Sequence, residues 1–565
     1  MSKIAIYQIF TRLFGNKNTN NKFNGSLEEN GVGKFSDIST KALKEIKKLG
    51  MSHVWYTGVI EHATQTDYTT YGIHKDHPSV VKGKAGSPYA IKDYYDVNPD
   101  LANVVPNRMK EFEALVKRTH KQGLKVIIDF VPNHVARFYY SDAKPKEVTD
   151  FGEHDDPTMQ FSPNNNFYYI PDQALELNGM TVKNIAAYQE YPAKATGNDV
   201  FHNRPSEFDW YETVKLNYGV DYLADGSQYF NPIPKTWHMM LDVLLYWSKK
   251  GVDGFRCDMA EMVPLAFWEW VIPTIKAAYP SMIFIAEIYN PARYREFIYA
   301  GQFDYLYDKV ELYDSLRAIT EHNASVDAIT QCWRSQEGLE THMLRFLENH
   351  DEQRVASNKF AIDAFAALPA MVVTATLNKG PVMIYFGQEV GESAEGESGF
   401  SGDDGRTSIF DYCGVPEHQK WMNNGKFDGG KLEKWQIRLR EKYSNILTLC
   451  KDYPAVYAGE FYDLQYLNLN SPHYPSDKVY AYFRHSGQQK LLFVINFDKS
   501  TEFRIHLKLS KHVYETVGLH QYTPLIGIDI FCKTGIKFNL TPQETVTKGI
   551  PMRLLPSQAL VFEIQ

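Results

Sequence analysis

A single unit recurs along the chain up to about residue 450. It is a stretch of helical period, a glycine that stops it, one or two residues, and a short β-rich run ending in polar residues. Leu43, Ile46 and Leu49 keep helical spacing before Gly50 and HVWYTGV; Met109, Phe112, Leu115 and Val116 do so before Gly123 and LKVIIDFVPNH; Met240, Val243, Leu244 and Trp247 precede Gly251 and VDGFRCD. Glycine suits the left-handed residue that ends a helix, and strands that are almost unbroken apolar runs are buried on both faces, as in a parallel sheet. The runs KIAIYQIF, HVWYTGV, LKVIIDFV, VDGFRCD, MIFIAEI, FDYLYDK, MLRFLE and PVMIYFG number eight, which predicts a closed (β/α)8 TIM barrel of the α/β class rather than an open doubly wound sheet. Neither a G-x-x-x-x-G-K-[ST] loop nor a G-x-G-x-x-G turn after the first strand is present, so a nucleotide-phosphate cradle is not expected.

Two regions break the rhythm. Residues 135–205 are polar and aromatic and too long for a plain loop, so they predict an inserted domain after the third strand, between barrel parts 1–134 and 206–450. Residues 451–565 lose the helical period for alternating runs such as VYAYFRH and KLLFVINFD, which predicts a C-terminal all-β sandwich domain. The Gly- and Asp-rich stretch from Glu389 to Gly430 is expected to rim the site. A net charge of −8 over 565 residues, with the signs interspersed, offers no basic field for nucleic acid or an anionic membrane. The five scattered cysteines form neither a zinc motif nor a disulfide framework, no apolar run is long enough to span a bilayer, and the start lacks a signal-peptide pattern, so the expected location is cytoplasmic.

Barrel chemistry sits at the C-terminal ends of strands. Here the third ends at Asp129, Asn133 and His134, the fourth at Arg256 and Asp258, the fifth at Glu287, and the seventh at His350 and Asp351. Four strand ends thus aim carboxylates at one mouth, and a pair of carboxylates plus a third is what cleavage of a glycosidic bond requires: one ionised to attack or steady an oxocarbenium-like centre, another protonated to supply the leaving oxygen. Arg256 and Asp258 are two apart and share a face, so the guanidinium is expected to keep Asp258 ionised; Glu287, after the apolar run IFIA, is expected in a dry pocket that keeps it protonated.

DFVPNH (129–134), GFRCD (254–258), Glu287 after IFIA, and FLENHD (346–351) resemble the four signature regions of the α-amylase family, glycoside hydrolase family 13, in order and on the expected strands. YAIKDYY (89–95) is similar to the segment whose tyrosine stacks under the cleaved sugar. The resemblance implies Asp258 as nucleophile, Glu287 as acid/base and Asp351 as the third carboxylate. Tyr89, His134, Arg256 and His350 would form the sugar-binding set, with Asp129 orienting Arg256. It further implies retention through a covalent glycosyl-enzyme, an inserted B domain and a terminal C domain. No cofactor is implied for the chemistry, but a structural calcium is possible with Asn133 as a ligand. Where many relatives carry Lys-His after the nucleophile, this chain has Glu261 and Met262, and DWYETVKLN (209–217) falls where the family marks specificity.

The implied function is a retaining hydrolase of α-glucosidic bonds in maltooligosaccharides, starch or glycogen. A transglycosylase of 4-α-glucanotransferase or maltosyltransferase type shares every signature, and a non-catalytic carbohydrate-binding protein on the same fold is a remote alternative. The implied partner is an α-glucan oligosaccharide or polysaccharide.

Overall fold

The computed structural model describes residues 2–180, 182, 185–396, 403–487, 489–532 and 535–565. The eight expected strands form one parallel sheet: β1 (Ala5–Phe10), β2 (His53–Thr57), β3 (Lys125–Phe130), β4 (Gly254–Cys257), β5 (Ile283–Ala286), β6 (Tyr305–Tyr307), β7 (Met343–Leu344) and β8 (Val382–Tyr385). Neighbours in sequence are neighbours in the sheet, β8 returns to pair with β1 in the register Ala5↔Val382, and a parallel bridge from Arg345 to Val382 joins β7 to β8 and closes the barrel. The strands are near-continuous apolar runs because both faces are covered, the inner by the barrel core and the outer by helices.

The helices obey the spacing read from the sequence. Leu43, Ile46 and Leu49 of helix Thr40–Leu49, and Met240, Val243, Leu244 and Trp247 of helix Lys235–Lys249, are buried against the sheet. Gly50 caps the first of these at φ +117°, a conformation costly for any residue with a Cβ. The run AIDAFAALPAMVVTATLNKG (361–380) leads through Gly380 into β8. Only Leu368–Thr376 is helical, because Pro369 lacks an N–H and belongs in a first turn.

The chain leaves the barrel after β3. His134–Ala136 pairs antiparallel with Thr213–Lys215, holding both ends of the excursion together at the mouth of the barrel. Of the rim stretch after β8, residues 397–402 lie outside the described residues. At the C-terminus, a six-stranded antiparallel sheet and the pair Phe503–Leu507 with Ile550–Leu554 enclose a second core that includes Phe483, Leu492, Val494, Leu507 and Phe562. Two short helices, Lys511–Val517 and Pro542–Thr547, interrupt these strands. Among the described residues no helix is long and apolar enough to cross a membrane.

Candidate active site

Register builds the site. Arg256 on β4 is aligned with Asp129 on β3 and with Ile285 on β5, two residues short of Glu287, so the acids at three strand ends converge on one guanidinium. Arg256 Nη1 donates to Asp258 Oδ1 at 2.7 Å and lies 3.6 Å from Asp129 Oδ1, while Nη2 pairs with Glu287 Oε2 at 2.8 Å. The sequence pairs this arginine with Asp258, oriented by Asp129, and puts Glu287 in a dry pocket by itself. The structure buries both acids but makes them share the cation. Burial pushes the Asp258 carboxyl well above the usual carboxylate range, with Arg256 opposing and the Glu287 charge adding to the rise.

Arg256 itself is expected among the sugar contacts. It is instead wholly buried, its guanidinium carbon 5.3–5.4 Å from the ring centres of Trp55, Tyr89 and Tyr307 and its Nε donating to the Tyr307 hydroxyl at 3.1 Å. Its work is on the acids. Asp129 also accepts from Trp55 Nε1 at 3.1 Å, so it steadies both the cation and one of the rings around it.

A second group surrounds His350. Its Nε2 meets the Tyr89 hydroxyl and lies 3.0 Å from Asp351 Oδ2, and its Nδ1 is 2.8 Å from Nε2 of Gln8 on β1. Burial would raise the Asp351 carboxyl, but the His350 ring and the more distant Arg256 and Arg406 outweigh it, and the net direction is down. Asp351 remains the most open of the acids, with 29% of its side chain exposed. His134 is bonded to the Tyr89 backbone carbonyl and tilts against Trp210 of the segment 209–217 at 5.2 Å. Burial, and then the Lys215 charge, hold it neutral down to about 3.

Three features were not legible in the motifs. Tyr289 donates to Glu287 Oε1 at 2.8 Å, and the Tyr289 and Asn290 amides are both capped by the Glu261 carboxylate. Met259, next to Asp258, is left-handed (φ +43°) and gives its N–H to Glu287 Oε2 at 2.8 Å. The third concerns Asn133. A calcium there would need its side-chain oxygen, but Lys215 Nζ donates to Asn133 Oδ1 at 2.6 Å, pairs with Asp199 Oδ1 at 2.7 Å and reaches the Met262 carbonyl at 3.3 Å. An ammonium already fills that oxygen set, which therefore does not fit a metal ion.

A model of the α-amylase catalytic domain matches residues 8–420. α-Amylase MalA of Haloarcula japonica is 23% identical over 503 residues, 87% of this chain and 55% of that protein. An α-1,4-glucan:maltose-1-phosphate maltosyltransferase of Cereibacter sphaeroides is 24% identical over 271 residues, 46% of this chain and 33% of that one. The chain thus spans little more than half of the first relative and a third of the second. A maltogenic α-amylase, AmyB of Thermotoga neapolitana, shares the fold at TM-score 0.62 and 19% identity, covering 99% of this chain and 98% of that one.

Proposed function

The chain belongs to the α-amylase family, and from that premise we propose that it hydrolyses α-glucosidic bonds of maltooligosaccharides, starch or glycogen with retention of configuration. The observation that carries this reading is the sharing of Arg256 between Asp258 and Glu287, at 2.7 and 2.8 Å. One cation shared by two buried acids ties their protonation together, and cleavage needs one of the two ionised and the other protonated.

Asp258 Oδ attacks the anomeric carbon as the bond to the leaving oxygen breaks, and Glu287 gives that oxygen its proton. Asp258 is then esterified to the sugar. Glu287, now ionised, takes a proton from water, whose oxygen attacks the same carbon and displaces Asp258. Asp351, His350 and His134 grip hydroxyls of the distorted ring, and Tyr89 stacks beneath it.

Transfer to a second sugar is the alternative, and the maltosyltransferase relative favours keeping it. The choice depends on whether water or an acceptor reaches the glycosyl-enzyme beside Tyr289. The five free cysteines suit an intracellular, reducing location, where glycogen and maltooligosaccharides are the available glucans.

The deciding experiment incubates a maltooligosaccharide of single length with the protein and with Asp258→Asn. Shorter products only, absent with the variant, support hydrolysis; a ladder running to longer products makes it a transferase. Inverted anomeric configuration in the first product would overturn the covalent route.

A further inference from the structure

In the connection that follows β2, four carboxylates meet where the inserted segment begins. Glu61 lies on the short strand Ile60–His62, which pairs antiparallel with Ile91–Val97, and the register sets Glu61 opposite Asp93. A bulge between Ile60 and Glu61 draws Asp96 into the same corner, and Asp142 enters from the inserted segment; one oxygen or more from each of the four lies within 4.8 Å of all the others.

Like charges directly opposite on paired strands are destabilising unless something compensates them. Asp93 accepts from the Ser141 hydroxyl at 2.6 Å and from two backbone amides, and Arg108 serves Asp96 and Asp142. Glu61 has nothing. It is 1% exposed, neither of its oxygens has a hydrogen-bond partner, and Lys92, the nearest basic residue acting on it, is committed to Asp76 at 2.8 Å. A buried carboxylate in that state is strongly destabilising unless it is neutralised.

We propose that Glu61, Asp93, Asp96 and Asp142 bind one calcium ion. The ligand set is all oxygen, which selects a hard cation over zinc or copper. The spread of 4.8 Å is about twice a Ca–O distance of ~2.4 Å, so one ion at the centre reaches all four carboxylates, whereas magnesium demands a tighter octahedron. Asp142, with 24% of its side chain exposed, leaves an entry path. The ion joins the strand that follows Tyr89 to the root of the inserted segment, so its loss loosens the wall of the sugar site from outside. This site is separate from Asn133, where Lys215 stands.

The test is calorimetric titration of calcium into the EDTA-stripped, dialysed full-length protein, with Tm measured in parallel. One ion per chain is expected, with a dissociation constant of about 10⁻⁶ to 10⁻⁴ M, and Tm should rise by several degrees at hundredfold excess. Glu61→Gln should weaken binding at least a hundredfold and Asp142→Asn about tenfold, while Asn133→Ala leaves it unchanged. If Glu61→Gln does not fold, Asp142→Asn, at a partly open position, decides. No heat of binding at 10 mM calcium, wild-type affinity in both acidic variants, or loss of binding in Asn133→Ala would each overturn the proposal.

Discussion

Tyr289 donates its hydroxyl to Glu287 Oε1 at 2.8 Å, and this bond ends a chain that starts at Glu261. Glu261 caps the amides of Tyr289 and Asn290, so it fixes the turn that aims the ring. A hydrogen bond to an ionisable group is worth ~1.5–3 kcal/mol, or about ten- to a hundredfold in rate. Tyr289→Phe should therefore lower kcat at least tenfold with KM within about twofold, and Glu261→Ala should reproduce a weaker version of the same split. A Tyr289→Phe enzyme with unchanged kcat would remove Tyr289 from the machinery.

The shared guanidinium sets the acid side of the pH–rate profile. Burial raises the Asp258 carboxyl and Arg256 pulls it back, so the acid limb of kcat/KM should lie above the ordinary range for an aspartate. Arg256→Lys keeps the charge but cannot hold both acids in one plane. With Asp258 less well stabilised as an anion, its carboxyl rises further, and the acid limb should move to higher pH with kcat down about a hundredfold. His134 cannot supply that limb, because it stays neutral to about 3. An acid limb that stays in place in Arg256→Lys would contradict the assignment.

Met259 links the two acids through the backbone. Its left-handed conformation, φ +43°, is one that a residue with a side chain adopts at a cost of about 1 kcal/mol, and it directs the Met259 N–H to Glu287 Oε2. Met259→Gly relieves that cost but frees the turn, so Tm should hold or rise slightly while kcat falls severalfold. A variant that is both less stable and fully active would show the strain to be unrelated to catalysis.

The barrel was legible because each strand is an apolar run stopped by polar residues, and the acids at its mouth because each ends such a run. Asp258 and Glu287 are read that way from GFRCD and IFIAE. Their sharing of Arg256 was not, since it depends on the stagger between β4 and β5, which no local pattern encodes. Nor was the Glu61–Asp93 pairing, which a bulge in a short irregular hairpin produces. Lys215 is hidden for a different reason: it is one lysine in a polar segment, and its partners Asn133, Asp199 and Met262 come from three other places in the chain.

Lys215 therefore yields the sharpest test of how the inserted segment is held. Its side chain is 2% exposed and touches three oxygens, one of them from Asp199, which is 41% exposed and so repays only part of the burial. Lys215→Ala should cost about 2 kcal/mol, less than the 3–5 kcal/mol of a fully buried pair, read as a fall in Tm. It also uncovers an all-oxygen set. In a Glu61→Gln background, calcium and EDTA should leave Tm unmoved while Lys215 is present. The Glu61→Gln/Lys215→Ala double variant should instead gain stability with calcium, because the cation takes the position the ammonium has left. A calcium response in the Glu61→Gln protein that disappears with Asn133→Ala would mean that the lysine does not occupy the site.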